Sequence, residues 1–177
     1  MFNDLWNFVE NHCKILAQNK QEMEHIYNLM IGCESYLEIG TAEGNSLYVF
    51  GHALKKGSEI TYIDAAEEKT RPYREEKLSH MKDYTIRGLH GNSHHKDCIE
   101  EAQKRRYDIV FIDAGHRYDD VLQDARNYAP LADKYVFFHD VQMPEVMEGF
   151  KMWQLESGMK GYTIINSEKY GYGVVKI

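Results

Sequence analysis

The stretch Tyr36-Leu-Glu-Ile-Gly-Thr-Ala-Glu-Gly-Asn-Ser46 constrains the fold more than any other part of the sequence. An apolar run ends at Gly40, Gly44 follows, and an apolar segment with helical spacing begins directly afterwards. This pattern predicts a buried strand, a tight glycine turn and the start of a helix. Such a turn brings backbone N–H groups and the positive end of a helix dipole to a ligand. Since Ala42 replaces the second glycine of G-x-G-x-x-G, the loop indicates a nucleotide-like ligand without identifying it.

Length and composition predict one packed domain. The chain has 177 residues with 43% hydrophobic and 12% aromatic content, which supports a folded core. We expect a single domain over 1–177, with an N-terminal helical cap over 1–32 and a Rossmann-like core over 33–177. The net charge of −7 argues against nucleic acid as a partner.

Cysteine usage and hydropathy bear on the compartment. Cys13, Cys33 and Cys98 form no C-x-x-C pair, so zinc and a disulfide framework are not expected. The sequence shows no apolar run of transmembrane length and no secretory signal. We therefore expect a cytoplasmic protein that does not bind a membrane. The oligomeric state stays open, and a homo-oligomer is compatible with the sequence.

Helical and β-type patterns alternate along most of the chain. The capping residues and apolar spacing over 3–30 predict a helical region with a break at Asn19. The predicted strands lie at 36–39, 59–63, 84–89, 107–112, 135–138, 162–165 and 173–177, and the later helices at 45–54, 70–82, 94–104, 118–128 and 145–155. This order predicts an α/β fold with a doubly wound, mostly parallel, Rossmann-like sheet and an antiparallel C-terminal strand pair.

Acidic side chains stand within or directly after four of the first five strands: Glu38, Asp64, Asp113 and Asp140. The carboxyl ends of parallel strands meet at one edge of a sheet, where ligands bind. Asp64 follows the glycine loop by about 20 residues, the separation at which a carboxylate accepts hydrogen bonds from a ribose. A turn or helix-capping aspartate is an equally weighted alternative.

Asp113 and Asp140 end two strands expected at the centre of the sheet. Adjacent carboxylates repel unless a cation or a shared proton lies between them, and oxygen-rich sites suit magnesium, calcium or manganese. Capping of the following helices is the alternative, although it does not explain both residues together. His116 could reach the same crevice as a general base, or it could be a surface histidine. His139 is either a ligand or a packed strand residue.

These motifs resemble a known family. Glu38-Ile-Gly-Thr-Ala-Glu-Gly-Asn-Ser46 resembles motif I of class I S-adenosylmethionine-dependent methyltransferases. Phe111-Ile-Asp-Ala-Gly-His-Arg-Tyr118 and Phe137-Phe-His-Asp-Val141 resemble the branch that contains the macrocin- and cephamycin-type O-methyltransferases. The similarity extends from about residue 36 to 175.

The resemblance implies how S-adenosylmethionine would be held. Gly40 and Gly44 would let the backbone approach the methionine part, with Glu38 near its amino group. Asp64 would bind the ribose hydroxyls. Asn92 and Ser93 would lie beside the adenine.

The resemblance also implies a metal and a base. Asp113 and Asp140 would hold a divalent metal, which is usually magnesium in this branch. Asp113 is also counted among the cofactor contacts, and we add the neighbouring His139 as a candidate metal ligand. His116, or Asp113 itself, would accept the proton of the substrate hydroxyl. The family tends to carry an acidic pair where this chain has His139-Asp140, which leaves one carboxylate fewer.

The sequence therefore predicts an S-adenosylmethionine-dependent O-methyltransferase acting on a hydroxyl of a small molecule or sugar, assisted by a divalent metal. Two alternatives remain at this point. One is a Rossmann-like oxidoreductase that binds NAD, and the missing second glycine of G-x-G-x-x-G argues against it. The other is a non-catalytic partner subunit that keeps the fold.

Overall fold

A computed structural model describes residues 1–14, 18–65, 67–165 and 170–177. In these ranges the strands are β1 (Ser35–Ile39), β2 (Glu59–Asp64), β3 (Thr85–His90), β4 (Tyr107–Ile112), β5 (Ala132–His139), β6 (Tyr162–Ile165) and β7 (Tyr172–Lys176). The α-helices are α1 (Phe2–His12), α2 (Lys20–Met30), α3 (Asn45–Gly51), α4 (Glu67–Ser79), α5 (Lys96–Ala102), α6 (Tyr118–Tyr128) and α7 (Pro144–Ser157). None of the described helices is long and apolar enough to cross a bilayer.

The described strands form one seven-stranded sheet in the order β3-β2-β1-β4-β5-β7-β6. Strands β1 to β5 pair in parallel, whereas β7 runs antiparallel to both β5 and β6. Parallel neighbours require crossover connections, which the alternating helices supply. The predicted doubly wound α/β fold with an antiparallel C-terminal pair is confirmed.

Both faces of the sheet are covered by apolar layers. Successive side chains of a strand point to opposite faces, so Phe137 packs in the layer that contains Trp6 and Phe50. Phe138, the next residue, packs in the opposite layer with Trp153. A sheet buried on both faces leaves its strand ends as the place where polar groups gather.

The helix ends differ from the sequence prediction. Helix α4 begins at Glu67, so Pro72 lies inside the helix and not in its first turn as expected. Residues 67–69 are good helix formers, and they extend the helix before the proline. The predicted break at Asn19 is confirmed, because its side chain accepts a hydrogen bond from the Gln21 N–H at 2.8 Å and caps α2. Of the predicted turn between the last strands, residues 166–169 lie outside the described residues.

Candidate functional site

Gly40 forms the joint between the ends of β1 and β4. Its φ is +83°, and a Cβ at this position would lie 2.3 Å from the carbonyl oxygen of Asp113. The Gly40 N–H donates to the carbonyl of Ile63 at 2.8 Å, and the Asp113 N–H donates to the carbonyl of Ile39 at 2.8 Å. Only glycine allows this close backbone approach at a positive φ.

Asp64 holds the glycine loop in place. Its Oδ2 accepts hydrogen bonds from the N–H groups of Thr41 at 2.9 Å and Ala42 at 2.7 Å. Its Oδ1 lies 3.5 Å from Nη1 of the buried Arg74, which also donates to the carbonyl of Ala42 at 2.7 Å. The turn-stabilising role considered for Asp64 is therefore present, and ribose binding by the same carboxylate stays a prediction.

A cavity of about 450 Å³ opens along the carboxyl ends of the strands. We call it the strand-end cavity, and the predicted cofactor residues that line it are Gly40, Asp64, Asn92, Ser93 and Asp113. The structure thus brings residues from four separate segments of the chain to one wall, as the sequence predicts for a doubly wound sheet.

The loop after β3 is anchored from α6. The Asn92 Oδ1 accepts a hydrogen bond from the His94 N–H at 2.8 Å, and the Tyr128 hydroxyl donates to the carbonyl of Ser93. The buried Asp124 lies 3.2 Å from Nε2 of His94, and burial raises the pKa of Asp124 to about 6. Sequence analysis did not identify Asp124, although a charged residue on the apolar face of a helix is visible in the pattern.

Glu38 lies beneath the loop and is not on the wall of the strand-end cavity. Its side chain is fully buried and accepts a hydrogen bond from the Ser46 hydroxyl. Burial raises the pKa of Glu38 to about 8, so the carboxyl group is mostly protonated at neutral pH. The predicted contact with the amino group of the cofactor has no direct geometric support.

Asp113, His116, His139 and Asp140 form what we call the histidine–aspartate cluster. Nδ1 of His139 lies 3.2 Å from Oδ1 of Asp113 and 3.4 Å from Oδ1 of Asp140. The possible ligand atoms of these three residues all lie within 4.8 Å of one another. The structure therefore brings the three predicted metal ligands together.

His139 is enclosed by acidic groups. Burial alone would lower its pKa, but Asp113, Asp140 and Glu22 raise the pKa well above its usual value. Glu22, from α2, places Oε2 at 3.6 Å from Nε2 of His139, and its Oε1 accepts the Gly171 N–H at 2.6 Å. Sequence analysis missed Glu22, whose spacing to Ile26 and Met30 places it on the buried face of α2.

His116 contacts the outer oxygen of Asp140. Its Nε2 lies 2.9 Å from Oδ2 of Asp140, and this hydrogen bond raises the pKa of His116. The side chain of His116 is 43% exposed, so one side of the ring faces solvent at the strand ends. For Asp140, burial would raise the pKa, but His116 and His139 lower it well below its usual range.

Asp113 connects the two parts of the site. Asp113 lines the strand-end cavity, and its carboxylate is part of the histidine–aspartate cluster. A ligand of nucleotide size in the cavity would therefore lie next to a group of carboxylates and imidazoles. This arrangement places the residues predicted for cofactor binding, cation binding and proton transfer at one strand edge.

The fold and the site define the class of S-adenosylmethionine-dependent α/β methyltransferases, with a glycine loop after β1. Residues 37–141 match a family described as methyltransferase domains. The chain belongs to this family and is a methyltransferase that uses S-adenosylmethionine. Comparison with curated proteins finds no match.

Solved structures share the fold over nearly the whole chain. The O-methyltransferase from Bacillus cereus in complex with SAH (S-adenosylhomocysteine) has a TM-score of 0.75 and 16% identity, covering 99% of this chain and 90% of that one. A putative caffeoyl-CoA O-methyltransferase from Staphylococcus aureus has a TM-score of 0.74 and 22% identity, covering 99% and 91%. TomG from Streptomyces achromogenes, in complex with SAM and involved in tomaymycin synthesis, has a TM-score of 0.73 and 15% identity, covering 99% and 88%.

Proposed function

We propose that the protein transfers the methyl group of S-adenosylmethionine to a hydroxyl oxygen of a small molecule, such as a sugar. One observation carries this proposal. Asp113 belongs both to the wall of the strand-end cavity and to the histidine–aspartate cluster, so a methyl donor bound in the cavity would lie beside the proposed proton acceptor. The structural neighbours from Bacillus cereus and Streptomyces achromogenes are O-methyltransferases, which supports this acceptor chemistry.

The donor set fits a divalent cation. Two carboxylates and one imidazole converge with separations of 3.2 and 3.4 Å between Nδ1 of His139 and the two carboxylate oxygens. Metal bonds of about 2.1 Å give neighbouring ligand atoms about 3.0–3.4 Å apart, so these two separations match those between neighbouring ligands of one ion. Asp113, His139 and Asp140 would hold it. Magnesium is the ion that the family resemblance implies, and its oxygen preference suits the two carboxylates.

Methyl transfer requires an unprotonated oxygen in line with the sulfonium. The oxygen forms a bond to the methyl carbon, the carbon–sulfur bond breaks, and its electron pair stays on the sulfur. His116 accepts the hydroxyl proton on its Nδ1, because its Nε2 donates to Oδ2 of Asp140 at 2.9 Å, and the Asp140 carboxylate stabilises the imidazolium that results. A bound divalent cation would lower the pKa of a hydroxyl group. Alignment of the two reactants by the cavity contributes much of the rate.

Residues 1–32 are proposed to act as a cap on the core at 33–177. The Lys14 N–H donates to Oε2 of Glu43 in the glycine loop at 2.8 Å, and Nζ of Lys77 donates to the carbonyl of His12 at 3.0 Å. Glu22 reaches His139 from the same region. These contacts support a cap that closes one side of the site. The cytoplasmic location stays a prediction from the cysteine pattern.

Calorimetry with S-adenosylhomocysteine and with NAD tests the donor. We expect micromolar binding of S-adenosylhomocysteine and none of NAD, whereas a Kd weaker than about 1 mM for S-adenosylhomocysteine would contradict the proposal.

The acceptor is tested with a labelled methyl donor and paired compounds that carry either a hydroxyl or an amine at the same carbon. Label should appear on the hydroxyl compounds, and transfer confined to the amines would overturn the O-methyltransferase assignment.

A further inference from the structure

The histidine–aspartate cluster contains a nitrogen donor where an oxygen donor would suit magnesium better. Nδ1 of His139 faces Asp113 and Asp140, so any ion held by the two carboxylates also meets an imidazole. Magnesium prefers oxygen ligands in octahedral geometry. Divalent transition metals accept imidazole nitrogen more readily, manganese least among them and iron, nickel and zinc more strongly. The imidazole ligand therefore favours a transition metal over magnesium in this cluster.

The opposite ring nitrogen of His139 also has a partner. Nε2 lies 3.6 Å from Oε2 of Glu22, and both side chains are almost fully buried, at 3% and 2% exposed. The N–H of Gly171 fixes the other oxygen of Glu22 at 2.6 Å. In metal sites the outer N–H of a histidine ligand points to a carboxylate or carbonyl, which sets the tautomer and strengthens the ligand. Glu22 has this placement, and it would keep Nδ1 available as the donor.

We infer that this cluster selects a nitrogen-accepting divalent transition metal such as manganese over magnesium, with Glu22 as the positioning residue of the His139 ligand. This inference rests on the metal role in the proposed function. It assigns a binding preference to His139 and a contribution from the N-terminal helix α2 to a site at the end of β5. Both parts are independent of the identity of the methyl acceptor.

The first test measures metal affinity directly on chelator-treated full-length protein. Titration calorimetry with Mn²⁺ and with Mg²⁺ should give Mn²⁺ binding at least about tenfold tighter. Pulsed electron paramagnetic resonance of bound Mn²⁺ should show nitrogen hyperfine coupling. His139→Asp should remove this coupling and bring the two affinities closer together. Equal affinities in the wild type, or Mn²⁺ binding without nitrogen coupling, would overturn the inference.

The second test isolates Glu22. Glu22→Gln keeps an oxygen that can accept the Gly171 N–H but removes the charge facing His139, so Mn²⁺ affinity should fall about 10- to 100-fold. Glu24→Gln makes the same change at an exposed position of the same helix and should leave Mn²⁺ affinity unchanged. Equal effects of the two variants would contradict a positioning role for Glu22.

Binding of S-adenosylhomocysteine to each sample distinguishes failure of the metal inference from failure of the proposed methyltransferase function. If S-adenosylhomocysteine binds and neither metal does, the metal inference fails and the cofactor assignment stands. If S-adenosylhomocysteine does not bind while Mn²⁺ shows nitrogen coupling, the proposed function fails and the metal site stands. Retained S-adenosylhomocysteine binding by His139→Asp also shows that this buried substitution leaves the fold intact.

Discussion

The two halves of the site treat carboxyl groups in opposite ways. Under the glycine loop, burial raises the pKa of Glu38 to about 8, and its nearest partner is the Ser46 hydroxyl. In the histidine–aspartate cluster burial would have the same effect on Asp140, but two imidazoles lower its pKa well below its usual range. The hydrogen-bond partner of Glu38 is a neutral hydroxyl, whereas Asp140 lies between two imidazoles that can carry charge. The fold alone therefore does not determine the protonation of a strand-end acid, because its immediate partners do.

The largest expected effect comes from Asp113, which belongs to both halves. Asp113→Asn keeps the size of the side chain but removes a charge from the cluster, so the rate of methyl transfer should fall about 10³-fold or more. Asp119→Asn, at an exposed position of α6, is the matched control and should stay within about threefold of wild type. Single-turnover assays with a labelled methyl donor measure both. Comparable rates for the two variants would remove Asp113 from the chemistry.

The buried carboxyl group of Glu38 should make the free energy of unfolding depend on pH. Its pKa is about 8 in the folded protein against an ordinary value of 4.5, so its contribution to the free energy of unfolding is present below about pH 4.5 and is lost as pH rises through 8. Between pH 5 and 9 the loss is on the order of 4 kcal/mol. Glu38→Gln should lack this component. Urea denaturation of both proteins between pH 5 and 9 measures it, and parallel pH curves would show that Glu38 is not protonated on folding.

The smallest expected effect concerns the joint between the halves. Gly40→Ala places a Cβ at 2.3 Å from the Asp113 carbonyl at a φ of +83°, and we expect about 3 kcal/mol of destabilisation with weaker S-adenosylhomocysteine binding. Gly57→Ala has a similar φ of +87° with nothing within 4 Å, so only the backbone cost of about 1 kcal/mol should remain. Urea denaturation compares them. Equal losses would mean that the close approach at Gly40 relaxes easily.

Sequence patterns predicted β1 and β4 well because each is a short, largely apolar run with a sharp end. Strand β4 lies at the predicted residues, and the strand ends bring Asp64, Asp113 and Asp140 to one edge. Helix ends were less certain, since α4 extends beyond the proline expected to start it.

Partners from distant elements were not predictable from local patterns. Arg74 reaches Asp64 from the middle of α4, and Glu22 reaches His139 across 117 residues of chain. Spacing along one helix indicates which face is buried, but it does not indicate which strand end that face meets. The closeness of His139 to both aspartates likewise depends on the pairing of β4 with β5, a tertiary fact.

The backbone at Asp140 places conflicting demands on this position. Its φ is +56°, a left-handed conformation that suits glycine better than aspartate and costs about 1 kcal/mol. Glycine would relax the chain there but would delete an oxygen that His116 contacts. Selection for heat resistance alone would therefore favour loss of this side chain, whereas selection for turnover would retain it. At residue 140, glycine would favour thermal stability, whereas aspartate is needed for the proposed chemistry.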